Sequence, residues 1–405
     1  MNHPTATKGR REFLQKVGVG GAAAAFYASR TVFASEANSA LELGIIGSGG
    51  RARFVGKKFV DTVGKEIRFV AAHDYFEDRL EAVQNMFNIE PGRSYTGLEG
   101  YREILASNVD GVIITTPPYF HPEQAAAAVA AGKHVWLAKP VGIDAPGCLS
   151  IKETGRRAQG KVAFLVDFQT RNSPFFVEAA KRVHAGDIGE IVSGEAFNQF
   201  PAAGYPAAEG MSGDKARLRR WGTDPIISGD CVVEQAVHAM DVVNWFLSGH
   251  PVRAFGTGGL KARQAGKNWD HFTITYWYEN GAKVDLNCSQ FMHGYEDLGA
   301  RFYGSLGVAD LHYRALDWGI GPVTIKGDHA WAGTDLDDTW DIGVENNCRD
   351  FVKAVRSGEY MNHAEDSANS TLAVILGRNA AYQEAILTWD DMLRENQKLD
   401  AKLSF

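Results

Sequence analysis

LELGIIGSGGRA, residues 41–52, decides the fold. A short apolar run feeds straight into a glycine turn, and a helical stretch opens behind it and ends near Gly64. Gly47, Ser48, Gly49, Gly50 and Arg51 would present backbone N–H groups and a helix dipole to a dinucleotide pyrophosphate, with Ala52 at the third small position of G-x-G-x-x-G/A. The next apolar run, EIRFVAAHD (66–74), ends on Asp74. A carboxylate there accepts hydrogen bonds from the adenosine ribose and repels a 2′-phosphate, so NAD is expected. Arg79, one helical turn into the following helix, is the residue that speaks for NADP.

The same alternation continues outward. FEDRLEAVQNMF and LEGYREILAS read as helices, DGVIITTPP (110–118) as a strand, HPEQAAAAVAAG as a helix and KHVWLA (133–138) as a strand. Strands alternating with helices imply parallel βαβ units, so residues 41–160 are expected to form a Rossmann domain. From residue 161 to 405 the pattern changes to consecutive strands, beginning with VAFLVDFQ. Asn280-Gly281 between two alternating runs marks a hairpin. The expected fold class is α/β, a Rossmann domain followed by an α+β domain with a large, mostly antiparallel sheet. A last helix around STLAVILGRNAAYQEAIL has apolar surface enough to pack on either domain.

At 405 residues the chain accommodates two domains, and its 45% hydrophobic content is that of a soluble globular protein. Cys148, Cys231, Cys288 and Cys348 are far apart and suggest neither a zinc knuckle nor a disulfide framework. The N-terminus differs: TKGRREFLQK precedes a Gly/Ala-rich stretch and small residues up to Ala34. Arg10-Arg11 followed by Phe13-Leu14 resembles a twin-arginine signal over residues 1–34, and a periplasmic or otherwise exported location is expected. Cleavage there removes Lys8, Arg10, Arg11, Lys16 and Arg30 against Glu12, taking the net charge from −7 to −11. That acidity argues against nucleic acid or an anionic membrane as partner of the mature chain.

Two clusters carry chemistry. VWLAKPVG (135–142) places Lys139 at the end of an apolar run, a poor place for an ammonium without a partner or a task. In SGDCVVEQAVHAMDVVNW, Glu234, His238 and Asp241 stand at i, i+4 and i+7, which predicts one stripe of a single helix. Flanking carboxylates would hold the His238 tautomer and raise its pKa, as suits a general base. A structural histidine competes with that reading, and a metal site lacks its further ligands at a sensible spacing, so no metal is expected.

Together these residues resemble the Gfo/Idh/MocA family, named for glucose–fructose oxidoreductase, inositol dehydrogenase and a rhizopine catabolism protein. The likeness runs over about residues 41–395 and rests on the glycine loop, TPPYFH (116–121), AGKHVWLAKP (131–140) and GD-x₃-E-x₃-H-x₂-D (229–241). It implies a bound NAD(P), a carbohydrate substrate and a homo-oligomer. It carries Thr116, Pro117, His121 and Lys139 to the cofactor, makes Lys139 and His238 a proton relay with Glu234 beside them, and matches Pro140 to a proline that is often cis. Asp241 and Arg171 fall near the substrate, and Trp221 is the aromatic expected to stack on a sugar face, with an ordinary surface role competing for Arg171 and Trp221. Three positions depart from the pattern: Ala138 for glutamate, Pro118 for asparagine and Glu234 for aspartate.

The leading function is therefore an oxidoreductase acting on a hydroxyl of a sugar, glycoside or cyclitol with tightly held cofactor. The alternatives are a glycoside-cleaving enzyme in which NAD transiently oxidises the sugar, and a non-catalytic sugar- or nucleotide-binding protein.

Overall fold

Strands β1 (Leu41–Ile46), β2 (Ile67–Asp74), β3 (Ser94–Thr96), β4 (Gly111–Ile114), β5 (His134–Leu137) and β6 (Phe164–Val166) form one sheet in the order β3-β2-β1-β4-β5-β6. Helices α1 (Gly50–Val63), α2 (Glu77–Phe87), α3 (Tyr101–Ala106), α4 (His121–Ala130) and α5 (Ala145–Ala158) connect them in turn. Strand order reverses between β1 and β4, and in such sheets the ligand crevice lies outside the carboxyl ends of the strands at that point. The computed structural model describes residues 40–201, 208–263, 265–313, 323–333 and 339–404. The twin-arginine stretch lies outside the described residues.

The expected boundary at residue 160 falls too early. β6, read from sequence as the first strand of the second domain, pairs in parallel with β5 and completes the first sheet. Its three residues are all buried, so they show no alternation that would tell one sheet from another.

The second sheet contains β7 (Ile191–Phe200), β8 (Pro251–Gly259), β9 (His271–Tyr278), β10 (Lys283–Gln290), β11 (Asp297–Gly304), β12 (Gly307–His312), β13 (Val323–Gly327), β14 (Trp331–Gly333) and β15 (Leu387–Thr388). Their order is β14-β13-β12-β11-β7-β10-β9-β8-β15, antiparallel except where β10 runs parallel to β7. The hairpin stands where Asn280-Gly281 placed it, between β9 and β10, with Gly281 at φ +87°. Burial alternates along β9, so one face of the sheet is covered and the other open.

The longer helices beyond the first sheet include α6 (Pro174–His184), α7 (Gly213–Arg219), α8 (Val237–Phe246), α9 (Thr339–Ser357) and α10 (Ala364–Gln383). α10 is buried on nearly every side because it packs on both halves, against α5 of the first and β8, β9 and α8 of the second. The buried Arg378 donates from Nη1 to the carbonyls of Ile143 (2.8 Å) and Gly229 (3.1 Å), and Thr371 Oγ1 accepts the Val141 amide at 3.4 Å. This helix thus braces the loop after Lys139 against the turn before Glu234. No described helix is long and apolar enough to cross a membrane.

Candidate active site

Five strand ends deliver the site. β1 runs into Gly47, β2 ends on Asp74, Thr116 follows β4, Lys139 follows β5 and Asp167 follows β6. Gly47 has φ +89°, and a Cβ there would stand 2.6 Å from the Thr116 amide nitrogen, so only glycine lets the two loops approach. Thr115 Oγ1 ties them by donating to the Gly47 carbonyl at 2.6 Å.

The glycine loop fits a dinucleotide. α1 begins after Gly49 with no side-chain cap and no acidic residue in its first turn, which leaves its N–H groups for an anion. A Cβ on Gly49 or Gly50 would meet nothing within 4 Å. Asp74 is buried, and its two oxygens accept the backbone amides of Ser48 and Phe76, each at 2.8 Å. Each oxygen keeps a further lone pair for a ribose hydroxyl. A cavity of about 450 Å³ opens here, lined among others by Gly49, Arg53, Asp74, Arg79 and Thr116.

Trp221, the aromatic expected to stack on a sugar face, lines this same cavity together with Arg219. His121 ties two of these loops together. It is buried, with Nδ1 2.7 Å from the Pro140 carbonyl and Nε2 2.8 Å from that of Thr116. Burial lowers its pKa to about 4. It positions the loops after β4 and β5 and touches no open space of its own.

Lys139 has its partner. Its Nζ donates to the Glu234 carbonyl at 2.5 Å and lies 3.4 Å from Oε1 of the same residue. The carboxylate missing at Ala138 is thus provided from 95 residues further along the chain. The Lys139–Pro140 peptide is cis, as the resemblance implied. Burial pulls the Lys139 pKa down, while the Glu234 charge pulls it back up. Arg51, in the first turn of α1, pairs with the buried Asp167, which also accepts from Asn347 Nδ2 at 2.8 Å. Asp167 went unrecognised because its strand was assigned to the other sheet.

The expected single helix through Glu234, His238 and Asp241 is broken. Gly229 at φ +83° and Asp230 at φ +75° turn the chain sharply, Cys231–Glu234 forms one turn, and α8 starts only at Val237. The Glu234 carbonyl is taken by Lys139, and the His238 amide donates instead to Gln235 at 3.3 Å. A long-range ammonium contact has displaced a local helical bond.

Nor does His238 gain basicity from flanking carboxylates. Its ring is buried edge-on to Phe168 and Tyr313, at centroid distances of 6.0 and 5.7 Å. Burial, then the nearby charges of Lys139 and Arg51, hold its pKa well below the ordinary value. The result is a neutral imidazole at physiological pH, able to accept a proton. Asp241 is fully buried and bound elsewhere: Arg171 Nε and Nη2 grip it at 2.9 and 3.0 Å, and Ser370 Oγ donates at 2.8 Å. Asp241 and Arg171, expected near the substrate, are thus brought together as an ion pair. Removing one partner of such a buried pair typically costs about 3–5 kcal/mol, because the other charge is left buried without compensation. Among the described residues no three His, Cys, Asp or Glu side chains are arranged to hold a metal.

Comparison with known proteins bears on the family and the fold. Residues 41–166 match an oxidoreductase family with an NAD-binding Rossmann fold, and residues 176–310 match the GFO/IDH/MocA C-terminal domain. Inositol 2-dehydrogenase 3 of Saccharopolyspora erythraea is 24% identical over 282 residues, 67% of this chain and 73% of that protein. Among solved structures, myo-inositol 2-dehydrogenase from Lactobacillus plantarum superposes with TM-score 0.68 at 21% identity, covering 86% of this chain and 99% of that one. Scyllo-inositol dehydrogenase from Lactobacillus casei, with bound NAD(H) and scyllo-inositol, gives TM-score 0.68 at 19% identity, over 87% and 99%. At such identities the structures speak to a shared fold.

Proposed function

We propose, because the chain belongs to the GFO/IDH/MocA family of NAD-binding oxidoreductases, that it is a dehydrogenase of a secondary hydroxyl on a cyclitol or sugar. The observation that carries this is the Lys139–Glu234 pair at the carboxyl end of β5, close enough to a buried, neutral His238 to act on its charge together with Arg51, which lines the dinucleotide cleft. NAD, when bound, supplies the hydride acceptor. His238 takes the proton from the reacting hydroxyl, since in the uncharged ring one nitrogen is unprotonated. Lys139 donates a hydrogen bond to the same oxygen and stabilises the negative charge that develops there. Glu234 holds Lys139 in place through both its backbone and its side chain.

Adding myo-inositol, scyllo-inositol or a set of aldoses to NAD-loaded protein tests the reading. Reduced nicotinamide fluorescence is expected with at least one of them in a single turnover. Absence of the signal across cyclitols and aldoses, with nucleotide still bound, would remove the assignment.

We further propose that the precursor is exported by the twin-arginine route, on the strength of Arg10-Arg11-x-Phe13-Leu14 ahead of the Gly/Ala stretch. Replacing both arginines with lysine is expected to leave full-length protein in the cytoplasm, and unchanged export would count against the assignment.

A further inference from the structure

The nucleotide cleft is walled on one side by a segment from the other half of the chain. Leu218, Arg219 and Trp221, from α7 and the turn behind it, line the cavity otherwise built by the Rossmann half. Arg219 grips Asp78 of α2 in a two-pronged ion pair, Nη1 to Oδ1 at 2.9 Å and Nη2 to Oδ2 at 2.6 Å. The Arg219 and Arg79 guanidiniums lie 4.8 and 5.0 Å from the centre of the Phe76 ring, and Arg79 Nη2 donates to the Arg219 carbonyl at 3.4 Å. The rest of the segment is anchored. Arg217 donates to Asp214, Asp224 and the Ala401 carbonyl, at 2.7, 2.8 and 2.9 Å, and Asp214 accepts the Ser404 amide at 2.8 Å.

We propose that Gly213–Thr223 is a strap across the adenosine end of the dinucleotide site, and that the Arg219–Asp78 clasp sets how fast the cofactor leaves. This rests on the nucleotide-binding reading of the cleft and adds residues to it. Anchored at both ends and clasped between, the strap must part from α2 before adenosine can exit past Trp221. A two-pronged guanidinium–carboxylate bond over an aromatic ring is stronger than an ordinary surface pair, yet Asp78 is 60% exposed, so the clasp can open.

The sign of one substitution separates a clasp from a direct contact. Asp78 is acidic and lines a site for an anionic nucleotide. If it acted on the nucleotide directly, neutralising it would remove repulsion and slow release; as half of a clasp, its loss speeds release. The test loads wild type, Asp78→Ala, Arg219→Gln and the double variant with NADH. Each is chased with excess NAD, and the decay of NADH fluorescence is followed with no sugar present. Asp78→Ala and Arg219→Gln are each expected to raise the release rate about tenfold, a change of about 1.4 kcal/mol. The double variant should release no faster than the faster single one. Release from Asp78→Ala that is unchanged or slower overturns the clasp, as does an additive double variant. Wild type that takes up no NADH removes the cleft reading and the strap together, whereas equal rates among loaded proteins remove the strap alone.

Discussion

Lys139→Met and His238→Asn should each fold, keep the dinucleotide and lose turnover by the 10²–10⁴-fold typical of general acid–base catalysis, read as kcat with the best cyclitol or aldose. In the proposed relay both act on one hydroxyl, the lysine on its oxygen and the histidine on its proton. The double variant is accordingly expected to lose much less than the product of the two single losses. The pH dependence of kcat/KM gives an independent reading of the same pair. Burial and the charges of Lys139 and Arg51 keep His238 neutral to well below its ordinary pKa of 6.5. As pH falls through 6.5 the wild-type kcat/KM should stay level, with the acid limb appearing only below it. Either near-normal turnover in both single variants or a half-maximal point at pH 6.5 or above would sink the relay as described.

Asp74→Ser should swing cofactor preference towards NADP by about a hundredfold, read as the ratio of the two dissociation constants. The estimate joins lost charged hydrogen bonds to the ribose, about 1.5–3 kcal/mol, with relief of repulsion against a 2′-phosphate. Arg53, Arg79 and Arg219 line the same cavity and would then face that phosphate. The structure adds a second consequence. Asp74 also accepts the Ser48 and Phe76 amides, so serine leaves buried backbone donors unmade at about 1–3 kcal/mol each. Asp74→Asn keeps one acceptor oxygen and should show the preference change with a smaller fall in melting temperature. A wild type that already prefers NADP would transfer the cofactor choice to the arginines.

Much of the fold was legible because it is written in short-range patterns. The β1–turn–α1 unit, the strand ending on Asp74 and the Asn280-Gly281 hairpin each depend on a dozen residues or fewer. β6 was misassigned because three buried residues carry no period. The helix through Glu234 and His238 was over-extended because i, i+4 spacing records only what a helix would do if nothing competed. Lys139 competed, from another domain, for the Glu234 carbonyl.

The sequence by itself determined the cofactor loop, the acid at the end of β2 and the residue types of the relay, since turn chemistry and strand periodicity act between near neighbours. Only the tertiary structure decided which charge meets which. Lys139 takes Glu234 95 residues away, Asp241 is claimed by Arg171 70 residues before it, and Arg219 reaches back 141 residues to Asp78. Those choices paired Asp241 with Arg171, set Trp221 in the wall of the cleft, and left His238 neutral where flanking carboxylates would have charged it. The reason is physical: the strength of an ion pair and the cost of burying a charge depend on distance and solvent exclusion in space, and spacing along the chain fixes neither.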